Sequence, residues 1–174
     1  GRRENLPSDS DVEVIVAYIG DRDAVADSAR EAEIIFNLAG QVSHVDSMVD
    51  PVFDLEVNTR SHLAFLETLR AVESRARVVY TSTRQVFGHP QYLPVDEEHP
   101  VMPVDVNGVS QHAAEHLHRL YGEFYDLESC VLRLTNVYGP RQRLTGDSQG
   151  FIPIFVRQAL LDEVPASRLL LAHR

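Results

Sequence analysis

The chain has 174 residues, of which 44% are hydrophobic, and its net charge of -10 comes from 16 basic and 26 acidic side chains. This length suits one globular domain, and the acidic balance argues against binding nucleic acid through its phosphates. No apolar run approaches the roughly 20 residues that cross a bilayer and no apolar signal core follows the N-terminus, so the sequence predicts a soluble, cytoplasmic protein without a membrane partner. The single cysteine, Cys130, excludes an internal disulfide framework and is predicted to be buried in a strand.

Apolar periodicity predicts strands and helices that alternate along the chain. In chain order they are a strand at 12–17, a helix at 24–33, a strand at 34–38, a helix from about 54 to 74, a strand at 78–82, a helix from about 109 to 127 and a strand at 130–134. Such alternation favours right-handed crossovers and a parallel sheet with helices on both faces. The predicted fold class is α/β with a doubly wound sheet.

Small and polar residues follow the predicted strands, at the sheet edge where such folds bind ligands. The three clusters are Asn37–Gln41, Ser82–Gly88 and Asn136–Arg141. Small residues allow a flat cofactor to approach the backbone, and hydroxyl and amide groups supply hydrogen bonds without charge. Each cluster taken alone is also typical of an ordinary turn.

Taken together and in this order, the clusters resemble the extended short-chain dehydrogenase/reductase family, the NAD-dependent nucleotide-sugar epimerases and dehydratases. The resemblance extends from about residue 12 to residue 163. Its more specific parts are Asn37–Gly40, Thr81–Gly88, Asn107–Glu115 and Leu132–Pro140. The amino-acid sequence around Thr83 resembles that of the family's UDP-glucose 4-epimerase-like or dTDP-glucose 4,6-dehydratase-like branch. The resemblance implies a Rossmann-type domain that binds NAD, with NADP left open, and a nucleotide-sugar substrate.

The resemblance also implies an impaired active site. The family uses a tyrosine phenol as acid and base, a lysine one helical turn later, and a serine or threonine after the third strand. Thr83 fills the last place, but Asn107 stands for the tyrosine and Gln111 for the lysine. Neither amide titrates, and the loss of positioned acid–base catalysis costs roughly 10²–10⁴-fold in rate. The nearby phenols of Tyr80 and Tyr138 are predicted to pack or hydrogen-bond beside the sheet.

Further contacts follow from the same resemblance, and none of them involves a metal. Cofactor contacts fall on Tyr18, Leu38, Ala39, Gly40, Ser82, Gln111, Asn136 and Val137. Substrate contacts fall on Thr83, Arg84, Asn136 and Phe151. Tyr18 stacks on adenine or only caps the sheet, and Arg84 meets a substrate anion or is simply an exposed arginine. The dehydratases carry Asp-Glu where this chain has Arg84 and Gln85, which favours epimerisation or oxidoreduction over elimination.

The sequence contains no Gly-x-x-Gly-x-x-Gly, the turn that holds a pyrophosphate at a helix N-terminus. We therefore expect an incomplete doubly wound domain at 12–163, without the family's first strand and glycine loop. An irregular lead-in at 1–11 precedes it, and a tail at 164–174 matches nothing in the family pattern. A truncated or frameshifted reading frame would explain both ends. The expected consequences are exposed sheet edges, poor stability alone, or completion of the sheet by another chain.

Residues His112 to His116 form a competing motif, the His-x-x-Glu-His pattern of a zinc peptidase class. The surrounding register belongs to the dehydrogenase pattern and no third ligand is evident, so a partly solvated helix face is the favoured interpretation. Two functions remain open. One is an impaired NAD-dependent epimerase or oxidoreductase, expected to form a homodimer through the helices near 54–74 and 109–127. The other is a non-catalytic remnant that binds nucleotide weakly or associates with a complete homologue.

Overall fold

The computed structural model describes residue 5, residues 12–142 and residues 151–161. The chain divides into two compact units, one of residues 14–135 and one of residues 1–13 with 136–174. Within the described residues, the first unit contains the sheet and five α-helices, and the second contains the helix Phe151–Leu161. No helix in the described part of the chain has both the length and the apolar character needed to cross a membrane.

The sheet has three parallel strands within the described residues. They are β1 (Ile34–Asn37), β2 (Arg77–Thr83) and β3 (Ser129–Leu134), and they lie in the order β1-β2-β3. Phe36 pairs with Val79, which in turn pairs with Cys130. Because the strands are parallel, their carboxyl ends meet at one edge of the sheet. The predicted α/β class is confirmed, and the three strands form part of a doubly wound sheet.

The helices begin where polar side chains can bond their free backbone N–H groups. They are α1 (Arg22–Ala29), α2 (His44–Val49), α3 (Pro51–Leu55), α4 (Ser61–Ala71), α5 (Val106–Tyr125) and α6 (Phe151–Leu161). Asp21, Ser43, Asp50 and Asp105 provide N-caps. The predicted helix near 54–74 forms as α3, a π-helical turn at Glu56–Arg60, and α4.

The core of the first unit lies between one face of the sheet and the helices α1, α4 and α5. Its buried apolar side chains are Ala29, Phe65, Leu66, Leu69, Val78, Tyr121 and Leu127. On α4 and α5, only some of the residues on the predicted apolar faces are buried. Leu66 and Leu69 are buried, whereas Leu63, Val109, Leu120 and Phe124 are exposed. Periodicity thus identified the helices but overestimated how much of each is covered within this chain.

Two predictions about the sheet are wrong. Residues 12–17 form no strand, and Val16 is 97% exposed. A strand needs a neighbour to pair with, and β1 pairs only with β2 in the described residues. Cys130 is not buried as expected but exposed, as are Phe36 and Leu132 on the same face of the sheet.

Candidate functional site

The loop after β1, residues 38–43, is tied to the start of α5 at the carboxyl edge of the sheet. Asn58, which is fully buried in the π-helical turn, donates from Nδ2 to the Gln41 carbonyl at 2.9 Å and accepts from the Gln41 N–H at 2.8 Å. Asn107 Nδ2 donates to the same Gln41 carbonyl at 2.8 Å. Two amides therefore hold this loop, the Gln41 loop, in one position.

Gly40 is the residue of this loop that lies close to the side chains of Asn58 and Gln111. A methyl group at Gly40 would lie 2.9 Å from Asn58 Oδ1 and 3.4 Å from Gln111 Nε2. A side chain at this position would therefore displace the amide that holds the loop. Gly40 and its neighbours Leu38 and Ala39 are exposed, so the loop presents small residues and backbone to solvent. Such a surface suits a flat ligand that packs against the backbone.

Asn107 is turned inward. It is 1% exposed, and besides bonding the Gln41 carbonyl its Nδ2 donates to Asp54 Oδ2 at 3.1 Å. Asp54 is itself fully buried. In this arrangement Asn107 joins α5 to α3 and to the Gln41 loop. It has no proton to exchange and little surface to offer a substrate.

Gln111 lies one turn further along α5 and is almost fully buried. Its Oε1 accepts a hydrogen bond from the Tyr80 hydroxyl, while its Nε2 is close to Gly40. The Gln111 amide is thereby oriented with its donor end towards the Gln41 loop. The cofactor contacts predicted at Gly40 and Gln111 thus belong to one place in the fold.

Tyr80 is not available as a substitute phenol base. It is fully buried beneath α5, where its ring stacks on His118 at 4.6 Å between centroids and meets the edge of His62. Burial, with Glu115 nearby, raises the pKa of Tyr80. The phenol therefore stays protonated, and it packs and hydrogen-bonds beside the sheet as the sequence predicted.

Ser82 and Thr83 are the last two residues of β2 and Arg84 follows them, but the three side chains face different ways. Thr83 Oγ1 accepts from the Gln85 N–H at 3.3 Å and caps the short 3₁₀ turn Arg84–Phe87, which packs against α5. Ser82 is buried on the helix-covered face. Arg84 is exposed and lines a cleft of about 980 Å³, together with Phe87, Arg119, Arg133 and Thr135. Of the three, Thr83 and Arg84 are thus accessible at this edge.

Glu115 belongs to an ion pair and not to a metal centre. Arg133 makes three hydrogen bonds of 2.8 to 3.2 Å to the Glu115 carboxylate, and its guanidinium lies over the Phe87 ring at 4.9 Å. Burial opposes ionisation of Glu115, but the hydrogen bonds and charge of Arg133, together with the nearby side chains of Ser82 and His112, outweigh it, so the pKa of Glu115 is lowered. His112 and His116 contact each other at 3.1 Å between Nε2 atoms. Across the described ranges, no three histidine, cysteine or acidic side chains form a group that could hold a metal.

Tyr18 lies at the other side of the Gln41 loop. It borders an apolar cavity of about 260 Å³ that is also lined by Ile35, Ala39 and Phe65. Its hydroxyl is 3.4 Å from the Glu56 carbonyl oxygen, a weak hydrogen bond that leaves half of the side chain exposed. Stacking on a base remains a prediction for Tyr18.

The remaining predicted contacts lie in the second unit. Asn136 and Val137 are exposed, and so is Tyr138, the other phenol considered. Phe151 is the first residue of α6. The preceding Gly150 and the tail at 164–174 lie outside the described residues. Roles for Asn136, Val137 and Phe151 stay predictions from the resemblance.

The sequence did not predict the residues whose hydrogen bonds hold the Gln41 loop and the start of α5 in place, chiefly Asp54, Asn58 and Asp105. Asp105 had a local signal, because an aspartate directly before a periodic apolar run is a typical helix N-cap. Asp54 and Asn58 had none, since their partners are 53 and 17 residues away in sequence. Only the fold brings these groups together.

A parallel α/β sheet with small and amide residues at its carboxyl edge defines a class of nucleotide-binding domains. The NAD dependent epimerase/dehydratase family model matches residues 1–173, and the chain belongs to that family. It is 38% identical over 166 residues to a UDP-glucose 4-epimerase of Mycolicibacterium smegmatis, covering 92% of this chain and 52% of that protein.

Solved structures agree with this assignment. The UDP-glucose 4-epimerase of Thermus thermophilus, solved with NAD, is 32% identical, with a TM-score of 0.82 over 94% of this chain and 52% of that one. The Thermotoga maritima enzyme, solved with UDP-glucose, is 27% identical, with a TM-score of 0.85 over 94% of this chain and 53% of that one. The chain spans about half the length of the curated relatives it matches.

The residues present fit one end of an NAD molecule. The exposed backbone of Leu38–Gly40 allows a ring to pack closely against it, and Gln111 Nε2, which points towards Gly40, is an uncharged hydrogen-bond donor. These two features suit the ribose and nicotinamide of NAD. The pyrophosphate end has no glycine-rich turn in this sequence. The fit therefore concerns the ribose and nicotinamide end of NAD and not its pyrophosphate.

Proposed function

We propose that this chain is an NAD-dependent nucleotide-sugar epimerase or oxidoreductase whose usual acid–base pair is replaced by Asn107 and Gln111. One observation carries the proposal: Asn107 bonds the Gln41 carbonyl after β1, and Gln111 Nε2 lies 3.4 Å from where a methyl group on Gly40 would be. Similarity to UDP-glucose 4-epimerases over more than nine tenths of the chain supports a uridine nucleotide sugar as substrate. A single cysteine and a net charge of -10 suit the reducing cytoplasm.

The residues divide the work as follows. Leu38, Ala39, Gly40 and Gln111 hold the cofactor, which when bound accepts a hydride from the sugar carbon. Thr83 binds the reacting sugar hydroxyl, and Arg84 faces the substrate from its exposed position beside the cleft. Epimerisation is favoured over dehydration because Arg84 and Gln85 supply no acid and base for elimination. Neither Asn107 nor Gln111 transfers protons, so turnover does not use the acid–base pair of the family.

Calorimetric titration of the chain with NAD and with UDP-glucose tests this function. We expect both ligands to bind, and we expect Gly40→Val to abolish NAD binding, because its side chain would collide with Asn58 Oδ1. Arg77→Ala is the matched control, since Arg77 is exposed at the opposite end of β2 and should leave both affinities unchanged. Failure of the chain to bind either ligand, or equal NAD binding by Gly40→Val, would contradict the proposal.

The proposed assembly is a homodimer through α4 and α5. Leu63 on α4 and Val109, Leu120 and Phe124 on α5 are exposed apolar side chains, and a helix pair of this kind is stabilised by covering them. Sedimentation velocity should show a dimer that Phe124→Glu converts to monomer. A monomeric wild-type chain would contradict this assembly.

A second candidate function is association with a complete homologue as a non-catalytic partner. The exposed face of the sheet, with Phe36, Cys130 and Leu132, favours it, because large apolar patches on a sheet mark sites of association. Co-expression with a full-length UDP-glucose 4-epimerase separates the two functions. A stable mixed complex together with no turnover by the chain alone supports the partner role, and turnover by the chain alone supports the enzyme.

A further inference from the structure

His44, the first residue of α2, forms a pair with Asp105 that resembles the paired groups of acid–base catalysts. His44 Nδ1 lies 2.9 Å from Asp105 Oδ2. The His44 side chain is 56% exposed, whereas that of Asp105 is 4% exposed. Because a carboxylate only accepts hydrogen bonds, Nδ1 carries the proton and Nε2 keeps a free lone pair in the neutral ring. The exposed imidazole is thus set in the tautomer that accepts a proton at Nε2.

Asp105 is held in place by the helix it caps. Its Oδ1 accepts from the Gly108 N–H at 2.6 Å, at the N-terminus of the 20-residue helix α5. A helix N-terminus favours a negatively charged cap, and both oxygens of Asp105 are engaged. A buried, fixed carboxylate of this kind orients an imidazole.

His44 is also fixed from its own side. Gln41 Nε2 donates to the Ser43 carbonyl at 3.0 Å, and the Ser43 N–H donates to Gln41 Oε1. Ser43 Oγ in turn caps α2 by accepting from the Asp46 N–H at 3.1 Å. His44 therefore follows directly on the Gln41 loop, whose carbonyl is bonded to Asn107. The imidazole belongs to the same edge of the sheet as the position where the family has its phenol.

We propose that His44 is the acid–base group of this chain, with Asp105 as its positioning residue. The assignment rests on the proposed nucleotide-sugar function. In the oxidation step, His44 Nε2 would take the proton of the sugar hydroxyl as a C=O bond forms, and a nicotinamide cofactor held by the Gln41 loop would supply the acceptor for the hydride that leaves the carbon. In the return step, the same cofactor would supply the hydride and His44 would return its proton to the oxygen, so protons and electrons balance.

His44→Asn tests the catalytic role, because the Asn amide can occupy the place of Nδ1 and keep the hydrogen bond to Asp105 without a titratable group. We expect UDP-glucose turnover to fall at least about 100-fold, with the affinities for NAD and UDP-glucose and the urea midpoint unchanged. His89→Asn, at a histidine of the loop after β2, is the matched control and should keep full turnover. Wild-type turnover by His44→Asn would overturn the proposal and leave the proposed function standing.

Chemical modification provides a readout that does not depend on turnover. UDP-glucose should slow carbethoxylation of His44 by diethyl pyrocarbonate about tenfold, measured by peptide mass spectrometry, with His89 as the unprotected internal reference. Equal modification of His44 with and without bound UDP-glucose would overturn the location of His44 in the sugar site. Binding of both ligands without measurable wild-type turnover would overturn its catalytic role. Binding of neither ligand would overturn the proposed function, and this inference with it.

Discussion

The side chains of Asn107 and Gln111 make hydrogen bonds that hold the fold together, at positions where the family resemblance predicts proton transfer. Asn107 bonds Asp54 and the Gln41 carbonyl, and Gln111 accepts from Tyr80. The motif alone predicts that Asn107 and Gln111 stand in place of the tyrosine and lysine of the family, because their spacing on one helix is a local property. It did not predict where their side chains point, since the partners come from other parts of the chain.

The Glu115–Arg133 pair gives a prediction at the residue scale. Arg133→Met keeps an apolar stem over Phe87 but leaves the buried Glu115 carboxylate without its partner. We expect the free energy of unfolding in urea to fall by about 3 kcal/mol. The control is Arg60→Met, which breaks the exposed pair with Glu56 and should leave the free energy of unfolding nearly unchanged, because solvent screens an exposed pair. Equal losses of unfolding free energy in the two variants would contradict the prediction that burial makes the Glu115 pair the more stabilising one.

The elements show which parts of the fold local sequence determines. The helices α1, α4 and α5 and the strands β1, β2 and β3 lie within a few residues of their predicted bounds, because caps and apolar periodicity are encoded locally, whereas α2 was not predicted. Residues 12–17 are as β-branched as the true strands, yet they form no strand because pairing is not a local property. The π-helical turn that places Asn58 likewise interrupted a pattern that predicted one continuous helix.

Gly88 provides the prediction at the element scale. It ends the 3₁₀ turn after β2 with a φ of 64°, and a methyl group there would lie 2.0 Å from the Met102 carbonyl oxygen. Gly88→Ala must therefore move backbone, and we expect it to destabilise the chain by about 2 kcal/mol or more. Gly139→Ala, where a methyl group meets no atom within 4 Å, should change stability by less than about 0.5 kcal/mol. Thermal unfolding of the two variants compares them, and a tolerated Gly88→Ala would contradict this geometry.

For the molecule as a whole, the buried histidines under the sheet make stability depend on pH. Burial lowers the pKa of His62 to about 4 and, with His62 nearby, that of His118 to about 3. The unfolded chain takes up protons at these residues below its ordinary pKa near 6.5, while the folded chain does not. Stability is therefore complete above pH 6.5 and falls as the pH drops towards 4.

Urea unfolding at pH 7.5 and pH 5.0 measures this effect. Each histidine should account for about 2 kcal/mol of the loss between the two pH values. His118→Leu should remove its share of the pH dependence. Phe65→Leu, a volume change in the same core, should lower stability equally at both pH values. A wild-type chain with the same stability at pH 5.0 as at pH 7.5 would contradict the neutral, buried state of these rings.

We infer that the molecule has the site of a nucleotide-sugar epimerase without the phenol and ammonium groups that the family uses there. The decisive quantity is the rate of UDP-glucose turnover in the double variant Asn107→Tyr with Gln111→Lys, compared with the wild-type chain at saturating NAD. We expect a higher rate in the double variant, because the phenol and ammonium groups that the family uses are then present in addition to the proposed His44. A folded double variant that binds NAD but turns over UDP-glucose no faster than the wild type would contradict this inference.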